Sequence, residues 1–142
     1  MTRKTAVVLS VLTALFAARV VGQALVALTS VAWLPPMDAW YSRLLPYPIL
    51  LPLQVAIIAA QALIDVQVWR GSGPGLIPRP RLGRALRGVS YIYAAAMLAR
   101  WVITRTHAIP IVFHWVLAAY LFTLGEFYGR VSAGRRPRAA NR

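Results

Sequence analysis

An arginine inside the first apolar run of this sequence has the side chain best suited to hold a ligand. Arg19 lies within Ala6–Leu34, and Gln23 follows it one helical turn later on the same face. A guanidinium in apolar surroundings needs oxygen partners, and its fork of donors fits anionic or carbonyl-bearing groups. A lipid or quinone headgroup is therefore the candidate ligand. The candidate site residues are Arg19, Gln23, Gln54, Gln61, Tyr93 and Tyr120.

The same polar side chains also fit a structural interpretation. Gln54, Gln61 and Asp65 share one stripe of a helix, because they stand at positions i, i+7 and i+11. Hydrogen bonds between such groups fix the register of neighbouring membrane helices, although each contributes only about 0.6 kcal/mol on average. A polar clasp and a ligand site are both open interpretations of this layer.

The carboxylates of the later apolar runs are expected to form ion pairs, because an unpaired charge inside a bilayer is costly. Asp65 has Arg70 or Arg84 as its candidate partner, and Glu126 has Arg130 four residues later. The sharper alternative is that Asp65 and Glu126 handle protons together.

A second charged layer is expected at the opposite side of the bundle. Asp38 is the candidate partner of Arg100 or Arg43 there, and the long Arg100 side chain can also reach the surface. His114 is more typical of a hydrogen-bonded structural histidine than of a ligand. The predicted intramembrane ion-pair residues are Asp65, Arg84, Arg87, Arg100, His114 and Glu126.

No pattern in the sequence predicts catalysis or a metal site. His107 and His114 lack metal-binding spacing, and the absence of cysteine excludes disulfides, thiol chemistry and thiolate sites. Gly71–Gly75 lacks the lysine of a phosphate-binding loop. We therefore predict no catalytic residue, no metal and no cofactor, with a bound quinone or lipid as the one open alternative.

Four apolar runs must position these residues, and they cover about 6–34, 49–69, 85–104 and 109–128. Each is long enough, at 1.5 Å per residue, to cross a hydrocarbon core of about 30 Å as a helix. Pro35-Pro36 ends the first run, and the aromatic segment Met37–Pro48, with Trp40, Tyr41 and Tyr47, is typical of a membrane surface. Glycine and proline in Arg70–Arg87 predict an irregular loop.

The basic residues are distributed asymmetrically along the chain. The formal net charge is +13, and only 13% of the residues are charged, against about 25% in soluble domains. Twelve of the 16 basic residues fall in the N-terminal segment, in Arg70–Arg87 and in the tail, while Arg43 and Arg105 occupy the other two loops. The positive-inside rule then places both termini in the cytoplasm, which requires an even number of crossings. This placement indicates contact with anionic lipid headgroups and argues against a nucleic-acid partner.

These observations predict an all-α polytopic membrane protein, built as an up-down bundle of four transmembrane helices. Residues 1–130 form the bundle, 131–142 form a basic, disordered cytoplasmic tail, and the location is a bacterial-type cytoplasmic (inner) membrane. The first functional hypothesis is a non-catalytic subunit or scaffold, with membrane lipids, complex subunits or a second copy as partners. The alternatives are a quinone- or lipid-binding protein or enzyme that uses the Arg19 layer, and, more weakly, a small transporter.

Two short motifs resemble the DoxX-like family of small bacterial four-helix membrane proteins. They are Ala18-Arg19-Val20-Val21-Gly22 early in the first helix and Leu51-Pro52-Leu53 at the start of the second. That family often has an acidic residue within the second helix, where this chain has Ile58 and Gln61. The resemblance implies an accessory or quinone-linked role in a membrane redox complex.

Overall fold

The described residues fold into four long helices and one short helix, which agrees with the predicted all-α fold. The computed structural model describes residues 2–29, 33–40, 46–77, 79–104 and 108–134. The helices are α1 (Thr2–Thr29), α2 (Met37–Trp40), α3 (Tyr47–Arg70), α4 (Pro80–Thr104) and α5 (Ala108–Gly134), with a 3₁₀ turn at Pro74–Leu76. The predictions for Tyr41, Arg43, Arg105, His107 and the tail at 135–142 lie outside the described residues, as does that for the side chain of Asp38.

Three of the long helices are long and apolar enough to cross a membrane. These segments are Arg3–Thr29, Tyr47–Arg70 and Ile109–Arg130. α4 is not among them, because the four arginines in its sequence lower its mean hydropathy.

Side-chain hydrogen bonds show that the long helices pair in antiparallel fashion. Ser10, Thr13 and Gln23 of α1 form hydrogen bonds with Trp69, Asp65 and Gln54 of α3, respectively. The residue numbers increase along α1 while those of their partners decrease along α3. The same relation holds between α4 and α5, where Arg87 contacts Glu126 and Tyr93 contacts His114. Both pairs of helices therefore run in opposite directions.

The bundle is closed along three sides and open along the fourth. α1 packs against both α3 and α5, and α5 packs against α4, whereas α3 has no extensive contact with α4 within the described residues. The buried core lies where α1 begins and α5 ends, an end that we call the terminal end of the bundle. It contains Ala6, Leu9, Val68, Tyr120, Leu124, Phe127 and Tyr128.

A pair of facing glycines sets the close approach of α4 and α5. A Cβ atom on Gly83 would lie 2.9 Å from the carbonyl oxygen of Gly125, and one on Gly125 would lie 2.8 Å from that of Gly83. Small residues at such a crossing let helix backbones meet closely. The two backbones leave no room here for a larger residue.

The helix ends differ from the predicted ones where local chemistry overrides hydropathy. α1 ends at Thr29, with Leu34 already in a non-helical segment, whereas the apolar run continues to Leu34. α4 begins at Pro80 inside the predicted loop, because proline fits the first turn of a helix. α5 continues to Gly134, beyond the predicted end at residue 128 and into the predicted tail. α3 ends at Arg70 and is capped by Gly71, whose φ of 64° is the left-handed conformation of a glycine cap.

Candidate functional site

Arg19 is buried in the bundle among groups that partly compensate its charge. Its side chain is 7% exposed, and Nη2 donates a hydrogen bond of 3.2 Å to the carbonyl oxygen of Trp40. The guanidinium also interacts electrostatically with the phenols of Tyr93 and Tyr47. Its Nε is buried and has no hydrogen-bond partner among the described residues. By residue count, Arg19 lies about 15 Å from the end of α1, so it sits in the half of the helix away from the terminal end.

Trp40 folds back onto α1 and supplies the oxygen that Arg19 uses. The indole is 8% exposed, and its Nε1 donates to the carbonyl oxygen of Pro35 at 3.0 Å. Its ring packs on Gly22, where an added Cβ would lie 2.9 Å from Cη2. Trp40, expected at the membrane surface, is therefore packed against α1 and not exposed. The missing side chain of Gly22 leaves room for the ring inside the fold.

A pair of glutamines lies one turn beyond Arg19. Nε2 of Gln54 donates to Oε1 of Gln23 at 3.3 Å, which joins α3 to α1, and Gln23 is fully buried. Nε2 of Gln23, Oε1 of Gln54 and the hydroxyl of Tyr47 are buried without a partner among the described residues. With Nε of Arg19 they make four such atoms, contributed by α1 and α3. We call Arg19, Gln23, Tyr47 and Gln54 the arginine cluster.

Tyr93 and His114 border the arginine cluster from the other pair of helices. The Tyr93 hydroxyl and His114 Nδ1 are 2.6 Å apart, and the two rings meet edge to face. His114 interacts electrostatically with Arg19 and Arg100 rather than with a described carboxylate. The contact with Tyr93 agrees with the expectation of a hydrogen-bonded structural histidine, and no ion pair of His114 is found among the described residues.

Asp65 belongs to a separate polar cluster nearer the terminal end. Thr13 Oγ1 donates to Asp65 Oδ2 at 2.7 Å, and the Tyr120 hydroxyl donates to Oδ1 at 3.2 Å, which ties α1, α3 and α5 together. The predicted ion pair of Asp65 with Arg70 or Arg84 is not among the ion pairs of the described residues, and hydroxyl groups contact both carboxylate oxygens instead. Tyr120, which was predicted to lie in the Arg19 layer, forms a hydrogen bond with Asp65 instead.

Glu126 holds α4 against α5 at the terminal end. It lies 2.6 Å from Nη1 of Arg87 and 3.4 Å from Nη2 of Arg130, so the predicted contact with Arg130 is present and a shorter one to Arg87 is added. Asp65 and Glu126 have different partners, on different helices. Nothing in their contacts couples the two carboxylates in proton transfer.

The predicted ligand-site residues thus divide between two places. Arg19, Gln23, Gln54 and Tyr93 share one layer, whereas Tyr120 bonds Asp65, and Gln61 lines a groove between α3 and α5. Sequence reasoning missed Thr13 and the buried position of Trp40. A pairing of Gln23 with Gln54 in antiparallel helices would have been the signal for Thr13. Ten residues back along α1 from Gln23 and eleven residues on along α3 from Gln54 lead to Thr13 and Asp65, which are in contact.

The arginine cluster can bind oxygen atoms more readily than it can perform bond-breaking chemistry. Two of its unpartnered atoms are donors, one is an acceptor, and the Tyr47 hydroxyl can act as either. In the described part of the chain, no group of three or more His, Cys, Asp or Glu residues could hold a metal ion.

Comparisons with known proteins find no match for this chain. No family, no curated protein and no solved structure matches it. The likeness to the DoxX-like family therefore rests on the chain length, the four apolar runs and the two short motifs around Arg19 and Pro52.

Proposed function

We propose that α1, α3, α4 and α5 all cross a bacterial-type cytoplasmic membrane, with both termini in the cytoplasm. The apolar lengths of α1, α3 and α5 support this, as does the antiparallel pairing of α4 with α5. The segment between Arg87 and Arg100 of α4 carries no charge, and both arginines are long enough to reach toward opposite surfaces. The terminal end, with its excess of basic residues, then faces the cytoplasm.

Within this topology, we propose that the protein binds an amphipathic molecule whose oxygen-rich headgroup enters the arginine cluster. The carrying observation is the set of four buried, unpartnered polar atoms on Arg19, Gln23, Tyr47 and Gln54. A buried polar group without a partner costs about 1–3 kcal/mol, so four in one layer are a large penalty unless another molecule bonds them.

The chemistry of these atoms defines the headgroup class. Arg19 Nε and Gln23 Nε2 donate, so the ligand must present acceptors such as phosphate, carboxylate or carbonyl oxygens. Among the side chains that the structure describes, no carboxylate neutralises Arg19, which favours a ligand with negative charge or strong carbonyl dipoles. An anionic lipid headgroup and a quinone ring share this chemistry.

Native mass spectrometry of the full chain in mild detergent tests the proposal and separates the two sources. Short-chain phosphatidylglycerol and short-chain ubiquinone are added separately, and the bound fraction is measured. We expect one of them to bind, and we expect Arg19→Leu to reduce its bound fraction at least about tenfold, since several hydrogen bonds to a charged group are lost. Arg84→Leu is the matched control, because Arg84 is exposed.

A second variant and a folding control complete the binding experiment. Arg19→Lys keeps the charge without the fork and should restore only part of the binding. If Arg19→Leu retains its helicity by circular dichroism and binds both probes as the unchanged chain does, the ligand proposal is overturned.

A non-catalytic subunit or scaffold is the second candidate function. It is favoured by the polar contacts that fix α1, α3 and α5 relative to one another. Exposed apolar side chains on the outer helix faces, such as Leu28, Ile92 and Ile103, also favour it. Co-purification from cross-linked membranes tests it. A stoichiometric partner protein that persists in Arg19→Leu supports the scaffold function, and a chain recovered without any partner contradicts it.

A further inference from the structure

The open side of the bundle contains a groove between α3 and the α4–α5 pair. It has a volume of about 510 Å³. This volume lies within the range of about 300–1,000 Å³ that ligand sites usually have. Its walls are mainly aliphatic and come from three helices. Six of the lining residues are Ile64, Leu82, Leu86, Leu117, Leu121 and Leu124.

A buried amide lies inside this apolar groove. Gln61 lines it and is only 4% exposed, and neither Nε2 nor Oε1 of its side chain has a hydrogen-bond partner among the described residues. A chain that needed only an apolar seam would be more stable with leucine at this position. The amide therefore points to an occupant that carries a polar group below its headgroup.

A cation lies at the other end of the groove. Arg79 lines it, is exposed, and stands just before the first residue of α4 at the terminal end of the bundle. Gln67 also lines the groove and stands six positions after Gln61 on α3, which is about 9 Å along the helix axis. The groove thus runs from a basic mouth, past one deep amide, into a mainly aliphatic interior.

We propose that this groove holds one anionic glycerophospholipid of the cytoplasmic leaflet. Its phosphate lies at Arg79, an ester carbonyl accepts a hydrogen bond from Nε2 of Gln61, and an acyl chain lies along Leu117 and Leu121. The order of charge, ester and hydrocarbon in such a lipid matches the order of groups along the groove. The exposed Arg79 at the mouth, with Arg81 close to it in sequence, favours a negative headgroup.

The inference rests on the proposed membrane topology and not on a ligand in the arginine cluster. The full chain is reconstituted into nanodiscs that contain equal amounts of phosphatidylglycerol and phosphatidylcholine. It is then released in the mass spectrometer, and the retained lipid is counted and identified. We expect one phosphatidylglycerol per chain to remain in Arg19→Leu, which removes any lipid of the arginine cluster, and we expect it to be retained in preference to phosphatidylcholine.

Substitutions assign the retained lipid to the groove. Arg79→Gln and Gln61→Leu should each lower the retained phosphatidylglycerol about 3- to 10-fold, as expected for the loss of one polar contact. Arg84→Gln and Gln54→Leu are the matched controls, because the first changes an arginine outside the groove lining and the second a glutamine of the arginine cluster. Both controls should retain the lipid.

A variant that removes no polar group keeps the test valid if Gln61→Leu does not fold. Leu121→Trp fills the groove and should displace the lipid to a similar extent. Retention that is equal in Arg79→Gln, Leu121→Trp and the unchanged chain overturns the proposal. So does a dimer that both substitutions abolish, because the groove would then hold a second copy. Loss of all retained phosphatidylglycerol in Arg19→Leu would place the lipid in the arginine cluster and would also overturn the groove proposal.

Discussion

The indole ring of Trp40 lies directly against Gly22, so that a Cβ atom at position 22 would be 2.9 Å from Cη2 of the ring. This contact holds α2 against α1 and keeps the carbonyl oxygen of Trp40 within 3.2 Å of Nη2 of Arg19. The only polar bond that the described residues give to Arg19 thus depends on a residue without a side chain, one turn away on the same helix.

Gly22→Ala should displace the Trp40 ring and weaken the Arg19 bond. We expect a loss of about 1 kcal/mol in unfolding free energy, near the low end for overpacking, because the end of an indole ring can shift slightly. Thermal unfolding in detergent measures it. Gly88→Ala is the control, since nothing lies within 4 Å of a Cβ there. Equal stability of the two variants would contradict the proposed packing.

Gly125→Ala should cost more than Gly22→Ala. The added methyl group meets the carbonyl oxygen of Gly83 at 2.8 Å, and a backbone oxygen moves only if α4 and α5 separate. We expect a destabilisation of about 2–3 kcal/mol from such overpacking. Gly129→Ala, one turn later on α5, has open space around its Cβ and should be nearly neutral. A neutral Gly125→Ala would mean that the helices are farther apart than described.

The bonds to Asp65 should be individually weak but coupled. Thr13→Val and Tyr120→Phe each remove one donor to the carboxylate, and each should cost about 0.6 kcal/mol, with about 1.7 kcal/mol as the upper range. In an Asp65→Ala background, Thr13→Val should have no further effect, because its partner is absent. A double-mutant cycle with chemical denaturation measures this coupling. Additive effects would show that Thr13 does not act through Asp65.

The helices follow from the sequence more completely than the contacts between them. The apolar runs predict α1, α3 and α5, because a long hydrophobic stretch has no other stable form in lipid. Helix ends are less predictable, since Pro80 starts α4 within a stretch whose glycines and prolines indicate a loop. The open side between α3 and α4 could not be predicted, because an apolar helix face can pack against either a neighbouring helix or lipid.

The polar layer was only partly predictable for the same reason. Spacing along one helix places Gln23 beside Arg19 and Gln61 on the stripe of Asp65. It does not decide which phenol faces which partner. Tyr93 belongs to the Arg19 layer and Tyr120 to Asp65 because the register between helices, fixed by packing, differs from a simple count of residues from each helix end.

Membrane topology is the measurement on which both proposed sites depend. The chain contains no cysteine, so single cysteines report their own accessibility without background. Cysteines are introduced at Pro36 and Ser72, and at the sequence positions Thr106 and Ala139, and intact bacterial cells are treated with a membrane-impermeant maleimide. We predict labelling at Pro36 and Thr106 in intact cells, and at Ser72 and Ala139 only after permeabilisation. If Ser72 and Thr106 are labelled from the same side, α4 does not cross the membrane, and the four-crossing topology is contradicted.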